Sequence, residues 1–116
     1  LRMIPKCKQT ENRVSNLENA NVYSTEEKRI GTWFGKPLYR KGYALEVSDY
    51  RYKEIGILEN VESLVYSRTS YTMSNGIHVV TGHDAYMNGT KVCIENDSLT
   101  DSTNIKCIVE YTKTTD

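Results

Sequence analysis

Short β-prone segments separated by turn-forming residues run through most of the chain and constrain its fold more than any other feature of the sequence. The segments are rich in β-branched and aromatic side chains, which favour strands. Gly35 and the Ser74-Asn75-Gly76 run mark turns between them. Pro37 lies near the start of a segment, where a strand tolerates proline. Strands are therefore predicted at residues 28–34, 36–47, 63–73, 77–81, 92–94 and 105–112.

The remaining segments are predicted to connect these strands. Residues 82–90 contain two glycines and an Asn-Gly pair, so we expect a loop there. Residues 54–60 are the one segment where a helical turn is expected. Residues 96–102 are rich in Asn, Asp, Ser and Thr, and are predicted to join the last two strands as a hairpin. About seven short strands at this spacing predict an all-β fold, either a small antiparallel sandwich or a barrel.

The apolar content is small for a chain of this length. Leu, Ile, Val and Phe together number 25 of 116 residues, and the mean hydropathy is −0.59. This composition lies just above the range that is typical of disordered chains. A weak private core combined with a regular strand pattern favours burial against other copies of the chain. The composition therefore favours an oligomer.

The charges are balanced, with 15 Lys and Arg against 15 Asp and Glu. A dedicated nucleic-acid-binding domain usually carries a basic excess, so no nucleic-acid partner is expected, although Arg40 and Lys41 between tyrosines could contact phosphates. No apolar run approaches 18 residues, so no membrane insertion is expected. The chain begins at Leu1 without an initiator Met or a signal peptide, which suggests a piece of a longer protein.

Three cysteines are present, and none of them forms a Cys-x-x-Cys pair. A structural zinc site is therefore not expected, and no other metal or cofactor is indicated. Cys93 and Cys107 each lie in a predicted strand. If both strands turn their apolar side inward, the two sulfur atoms point to opposite faces. We therefore expect free thiols, as in a protein that assembles in a reducing cytoplasm.

Residues 1–21 differ in composition from the rest of the chain. Val14 and Leu17 have the spacing of coiled-coil a and d positions, with Asn21 at the next a position, so one interpretation of this segment is the last turns of a coiled-coil stem. Four Asn residues between 12 and 21 favour a linker or a strand-like extension instead. The predicted organisation is a linker or stem end at 1–21 and a β-rich head domain at 22–116.

Few residues suggest binding or catalysis. His83 and Asp84 form a polar pair in the predicted 82–90 loop, where a surface role is the commoner interpretation. Tyr86 in the same loop, with Asn88 beside it, is the tyrosine most expected to face a ligand. His78 is expected to be an ordinary strand residue. No catalytic motif is found in the sequence, so an enzyme is not expected.

The alternation of residues along the second predicted strand indicates where two further tyrosines lie. Tyr39 and Tyr43 have the same parity as Leu45 and Val47. Residues of one parity share one face of a strand. Tyr39 and Tyr43 are therefore expected to lie in the core or in a subunit interface.

Two stretches resemble a known protein family. The first runs from Tyr-Ser-Thr-Glu-Glu at residues 23–27, through Gly-Thr-Trp at 31–33, to Gly-Lys-Pro-Leu-Tyr-Arg-Lys at 35–41. The second is Glu-Tyr-Thr-Lys-Thr-Thr-Asp at residues 110–116. Both resemble the C-terminal β-rich domain of bacteriophage and prophage tail-fibre, baseplate and receptor-binding proteins. The resemblance frames residues 22–116, and residues 46–104 match only loosely.

The resemblance implies a non-enzymatic virion component that assembles in the bacterial host as a homotrimer. It implies attachment to the host surface, through cell-wall or capsular glycan. It also implies structural roles for several residues of the two stretches: close backbone approach at Gly31, packing by Trp33, a turn set by Gly35 and Pro37, and framework positions for Tyr39 and Tyr111. The family's turn after Trp contains Asp-Gly, whereas Trp33-Phe34-Gly35 is shorter.

Three functions are consistent with these observations. The first is a receptor-binding tip that recognises carbohydrate through residues 82–90, with His83, Asp84, Tyr86 and Asn88 as candidate ligand contacts. The second is a trimerising module that caps a fibre and binds nothing. The third, an accessory part of a cell-wall hydrolase, requires a carboxylate pair in a cleft that the sequence does not indicate.

Overall fold

The fold was analysed in a computed structural model, which describes residues 23–115. The segment predicted as a stem or linker, with Val14, Leu17 and Cys7, lies outside the described residues. The described part contains eight strands and one 3₁₀ turn. The strands are β1 (Lys28–Trp33), β2 (Lys36–Ser48), β3 (Tyr52–Ile57), β4 (Val61–Thr72), β5 (His78–Gly82), β6 (Ala85–Asn88), β7 (Lys91–Glu95) and β8 (Ser102–Lys113), and the 3₁₀ turn is Asp97–Leu99.

The strands form two antiparallel sheets. The larger sheet has the order β1-β2-β8-β4-β5, and the smaller sheet has the order β3-β7-β6. This arrangement confirms the predicted all-β class and fits a small sandwich. No helix within residues 23–115 is long and apolar enough to cross a membrane.

The core lies between the two sheets and follows the period-2 pattern of the strands. From β8, alternate residues point inward and are almost fully buried, among them Ile105 and Val109. From β7, Val92 and Ile94 face them and are fully buried. Tyr39, Tyr43 and Leu45 from β2 pack against this core and are partly buried, while Val47 is exposed.

The prediction of free thiols is confirmed for the two cysteines within the described residues. Cys107 belongs to the core between the sheets and accepts a hydrogen bond from the Thr69 hydroxyl, whose oxygen lies 3.5 Å from the sulfur. Burial raises the pKa of the Cys107 thiol. Cys93 lies in the other sheet, and its side chain points away from the core towards Tyr52. The two sulfur atoms therefore occupy different environments.

Three of the predicted connections were wrong. Residues 82–90 contain strand β6, and residues 54–60 belong largely to strand β3 with no helical turn. The predicted final hairpin does not form, because β7 pairs with β3 and β6 while β8 pairs with β2 and β4. The 3₁₀ turn between β7 and β8 carries the chain from one sheet to the other, and buried Leu99 anchors it.

The predicted turns around Gly35 and Gly76 are confirmed. Phe34 and Gly35 connect β1 to β2 with φ angles of 46° and 82°, the pattern of a type I′ hairpin turn. Gly76 has a φ of 87°, and its amide donates to the carbonyl of Met73. Pro37 is the second residue of β2, where only β1 pairs with the strand.

Two structural roles expected within the hairpin are not found. A Cβ atom at Gly31 would meet nothing within 4 Å, so no close approach occurs there. The close approach lies at Gly42, where a Cβ would lie 2.5 Å from the carbonyl oxygen of Ser24. Trp33 is 44% exposed and packs edge-on against Phe34, which is 90% exposed. Trp33 is thus a surface residue of the single chain.

The two stretches that resemble the phage family contact each other. Glu27 accepts hydrogen bonds from the Tyr111 hydroxyl and from the Lys113 ammonium group, which lies 3.0 Å away. The buried Tyr111 ring stacks against Tyr39, with the ring centroids 6.0 Å apart. The Lys113 ammonium lies 4.2 Å from the centroid of the Tyr39 ring. These contacts tie the segment before β1 to the last strand.

A second contact joins the same stretches on the opposite face of the sheet. Arg40 donates from Nε and from an Nη atom to one carboxylate oxygen of Glu110, at 2.9 and 2.8 Å. Both side chains are mostly buried, and the two residues are directly paired across β2 and β8. The Arg40 guanidinium also lies 4.1 Å from the centroid of the Tyr23 ring. This mostly buried ion pair therefore joins two residues that lie opposite each other in β2 and β8.

Candidate functional site

The candidate site lies on the outer face of the smaller sheet. In β7, Val92 and Ile94 point into the core, so Cys93 points outward. The register places Cys93 opposite Glu54 of β3 and opposite Tyr86 of β6. All three strands of this sheet therefore contribute outward side chains to one surface. We call this surface the aromatic face; it comprises Tyr52, Glu54, Tyr86, Asn88, Lys91, Cys93 and Glu95.

Two tyrosines lean together across the middle strand of this face. The rings of Tyr52 and Tyr86 have centroids 6.3 Å apart and are inclined by 43°. The Tyr52 hydroxyl oxygen lies 3.4 Å from Cys93 Sγ. Cys93 is 0% exposed, although it points away from the core. Tyr86 remains 37% exposed and presents ring surface to solvent.

Charged and amide groups surround the tyrosines. Lys91 Nζ lies 3.4 Å from a carboxylate oxygen of Glu54, and both side chains are about half exposed. Asn88 is exposed and lies opposite Lys91 in the register. Glu95 is also exposed, and within residues 23–115 its carboxylate forms no ion pair. The surface therefore offers hydrogen-bond donors and acceptors beside an aromatic patch.

The pKa values of both tyrosines are raised. The hydrogen bond with Cys93, together with desolvation, raises the pKa of Tyr52 to about 12. Desolvation, followed by the nearby Cys93 and Glu95, raises the pKa of Tyr86. Both hydroxyl groups are therefore protonated at neutral pH, and each can donate a hydrogen bond to a ligand oxygen.

A groove adjoins the aromatic face at Tyr86. It lies between β4 and β6, where the two sheets separate, and has a volume of about 400 Å³. Its acidic residue, Glu62, is held in a salt bridge by Lys36. The groove therefore offers a ligand shape together with both polar and apolar surface. It is lined by Val61, Glu62, Leu64, Ala85, Tyr86, Met87 and Gly89.

The structure separates the four residues that the sequence singled out. Tyr86 and Asn88 lie on the aromatic face, two residues apart on β6. Asp84 instead closes the turn before β6, where its carboxylate accepts hydrogen bonds from the Thr81 hydroxyl and from Asn96 Nδ2. His83 occupies the same turn, is exposed and has a positive φ of 65°. His83 and Asp84 therefore lie in the turn that precedes the aromatic face, and the prediction that they contact a ligand together with Tyr86 and Asn88 stays a prediction.

Sequence reasoning missed Tyr52, Glu54 and Glu95. A helical turn was expected at residues 54–60, so the alternation that places Tyr52 and Glu54 on one face of a strand was not recognised. The final hairpin was expected to pair β7 with β8, which hid the pairing of β7 with β3. The available signal was the alternation of Lys91, Cys93 and Glu95 against the apolar Val92 and Ile94, which marks an outward face.

The site shows no arrangement for metal binding. Within residues 23–115, no group of three or more His, Cys, Asp or Glu side chains could hold a metal ion. The side chains of the aromatic face can stack against a ligand, form hydrogen bonds with it and carry charge.

No protein-family model, curated protein or solved structure matches this chain. The resemblance to phage tail domains therefore stays a prediction that rests on the two sequence stretches. The candidate site rests on the geometry of the aromatic face.

Proposed function

We propose that this protein is a binding domain that attaches a bacteriophage or prophage tail to the host cell surface by recognising carbohydrate at the aromatic face. The observation that carries the proposal is the pair of tyrosines inclined over Cys93. Aromatic rings with a polar tip stack against the apolar faces of sugars while their hydroxyl groups donate hydrogen bonds. Fixed rings also lose little conformational entropy on binding.

The surroundings of the tyrosines suit a polyhydroxylated ligand. Carboxylates of Glu54 and Glu95 accept hydrogen bonds from sugar hydroxyls, and Asn88 both donates and accepts. The face is open, so it can lie along a chain of sugars without a deep pocket. The groove beside Tyr86 offers space for a further ring of the same polysaccharide.

The assignment to a phage tail is supported by the two sequence stretches and by their contacts. The resemblance implies a homotrimeric virion protein, and the small apolar content fits burial against further copies. Three weak sites on one trimer would bind a repetitive cell-wall or capsular glycan with high avidity, because the second and third contacts become intramolecular.

A binding experiment with matched variants tests the proposal. The purified chain is applied to an array of bacterial cell-wall and capsular polysaccharides, and affinities for the best ligand are measured by calorimetry. Tyr86→Ala and Tyr52→Ala should each weaken binding about tenfold or more, the loss that a contact of about 1.4 kcal/mol gives. Tyr50→Ala is the control, since Tyr50 is 68% exposed and lies outside the aromatic face.

The outcomes distinguish the aromatic face from other surfaces. If Tyr86→Ala leaves the binding affinity as unchanged as the control Tyr50→Ala does, the ligand binds elsewhere. That result would refute the aromatic face as the binding site. If the folded wild-type chain binds no polysaccharide, and labelled protein does not adsorb to bacterial cells, the binding function is refuted. The domain would then fit the second function, a module that caps a fibre.

A further inference from the structure

Strand β5 forms an edge of the larger sheet that has no charged residue, proline or bulge. Exposed edges attract other strands, and natural proteins protect them with charges, bulges, proline or short length. Of the four edge strands in residues 23–115, β1 and β3 each contain charged residues and a register shift, and β6 has only four residues. Strand β5 has five residues, His-Val-Val-Thr-Gly, with an unbroken register against β4 and no Asp, Glu, Lys, Arg or Pro.

Apolar side chains are exposed along this edge. Val80 is 62% exposed, and Ile77, just before the strand, is 56% exposed. Nδ1 of His78 lies 2.9 Å from the Thr72 hydroxyl oxygen, which holds the ring against β4. A hollow of about 310 Å³ lies alongside, bounded by β4, β5 and the first half of β8. The edge therefore combines unpaired backbone groups with accessible apolar side chains.

We propose that this edge is an interface between two copies of the chain, in which β5 pairs antiparallel with β5 of the second copy about a two-fold axis at Val80. The sequence of the strand is self-complementary in that register. Val80 lies opposite Val80 of the partner subunit, and His78 lies opposite a glycine. Val79 lies opposite a threonine on the inner face, and the strand contains no Asp, Glu, Lys or Arg that could oppose a like charge.

The faces of the strand exclude registers that are shifted by an odd number of residues. A shift of one residue would place the inward side chains of one copy beside the outward side chains of the other, which exposes Val79 and buries the wrong face. The two-fold pairing keeps the exposed valines together and joins two five-stranded sheets into one. A second copy of this chain fits the edge because the same surface satisfies both sides.

The interface is small, so the pairing is expected to be weak and reversible. Five residues on each side bury much less than the roughly 800 Å² per partner of a standard stable interface. A dissociation constant in the micromolar to millimolar range, about 10⁻⁶ to 10⁻³ M, is expected. The inference goes beyond the proposed glycan binding and does not depend on it, since it concerns a different sheet.

Sedimentation equilibrium of the full chain over a wide concentration range measures the pairing. At high concentration, the mass of the wild type should be twice the mass of Val80→Lys, whether the unit that pairs is one chain or a trimer. Val47→Lys is the matched control: Val47 is 54% exposed and lies on β2, which β8 and β4 separate from β5. Equal masses for the wild type and Val80→Lys at every concentration would overturn the inference, as would an equal loss in Val47→Lys.

A covalent trap tests the register itself. Opposed Cα atoms in an antiparallel pair are about 4.5–5.5 Å apart, which lies within the range of about 4.4–6.8 Å that a disulfide spans. In a Cys7→Ser background, Val80→Cys should form a disulfide-linked dimer when oxidised with copper phenanthroline, and Val47→Cys should not. Equal cross-linking of both variants would contradict the two-fold register.

Discussion

Substitution of Tyr111 by Phe isolates the contact that joins the two sequence stretches. It removes the hydroxyl that donates to Glu27 and leaves the fully buried ring in place. The stacking of that ring on Tyr39 is retained, and so is the salt bridge between Lys113 and Glu27. The variant therefore changes one hydrogen bond without opening a cavity in the core.

The expected loss follows from the partners of this hydrogen bond. A hydrogen bond to a charged group contributes about 1.5–3 kcal/mol to stability. The low end applies here, because the Glu27 side chain is 35% exposed and keeps its contact with Lys113. We expect Tyr111→Phe to lower the free energy of unfolding by about 1.5 kcal/mol, which moves the urea midpoint down by about 1 M for a slope near 1.5 kcal/mol per M.

The same loss should depend on pH at both ends of the range. Desolvation raises the pKa of Glu27, but hydrogen bonds from Tyr111 and Lys113 and the charges of Lys113 and Lys41 outweigh it, so its pKa lies below the ordinary 4.5. A group whose pKa is lower in the folded state than in the unfolded state stabilises the fold at pH values above its unfolded pKa. This stabilisation is lost as the pH falls through the folded pKa. The difference between the wild type and Tyr111→Phe should therefore shrink in acid.

At alkaline pH the tyrosine itself becomes the titrating group. Desolvation, then the hydrogen bond to Glu27, raises the pKa of Tyr111 above its ordinary value of 10.0. A group whose pKa is higher in the folded state stabilises the fold fully at pH values below its unfolded pKa. This stabilisation is lost as the pH rises from the unfolded pKa through the folded pKa. The advantage of the wild type should be greatest between about pH 5 and pH 9 and should fall on either side.

Urea unfolding followed by circular dichroism, at one fixed protein concentration, measures these differences. Tyr66→Phe is the matched control, since within the described residues the Tyr66 hydroxyl has no hydrogen-bond partner and its loss should change stability by no more than about 0.5 kcal/mol. Glu27→Gln should remove the acid part of the pH dependence. The reasoning is refuted if Tyr111→Phe and Tyr66→Phe are equally stable at pH 7, or if their difference is the same at pH 3, 7 and 11.

Three further changes test the frame of the fold. Gly56→Ala places a Cβ 2.3 Å from the Tyr43 ring, and should lower the free energy of unfolding by about 1–3 kcal/mol in a urea titration; an unchanged midpoint would show that the ring moves freely. Phe34→Asn relieves a positive φ of 46° in a turn that favours Asn. It should raise Tm by about 2–4 °C in a calorimetric scan, which corresponds to a gain of about 0.5 kcal/mol in the free energy of unfolding. A lower Tm would show that the contact of Phe34 with Trp33 contributes more. Arg40→Leu leaves the mostly buried carboxylate of Glu110 without its partner, and should cost about 3–5 kcal/mol, while the double change to Leu should cost much less in the same urea titration.

The strands of the larger sheet could be predicted because their signals are local. Residues 28–34 and 36–47 form a hairpin whose turn is fixed by Gly35, and the rule that connects them needs no distant contact. The alternation of Ile105, Cys107 and Val109 likewise gives both the strand and its buried face. The placement of Cys93 opposite its apolar neighbours Val92 and Ile94, and of Cys107 on the same face as Ile105 and Val109, was sufficient to predict free thiols, although the two cysteines belong to different sheets.

The smaller sheet could not be predicted, because its strands are defined by partners far along the chain. Strand β6 is four residues long and lies between Gly82 and Gly89, so its local composition is that of a loop. Strand β3 contains Glu54 and a register shift before Gly56, and its pairing with β7 bridges more than 30 residues. Close backbone approach was predicted at Gly31 but occurs at Gly42. The backbone that approaches Gly42 belongs to the segment before β1, so this contact too depends on a part of the chain outside the strand itself.

The residues that carry the resemblance to phage tail domains and the proposed binding residues lie in different sheets. Residues that carry the resemblance lie before β1 and on β1, β2 and β8, where the contacts of Glu27 with Tyr111 and of Arg40 with Glu110 fix the larger sheet. The aromatic face lies wholly on the smaller sheet, within the part of the chain that matches the family only loosely. Inward residues of β3, β6 and β7 connect the two sheets through the shared core. Outward side chains such as Tyr86 can therefore be exchanged without disturbing the frame, so one framework can present different binding surfaces.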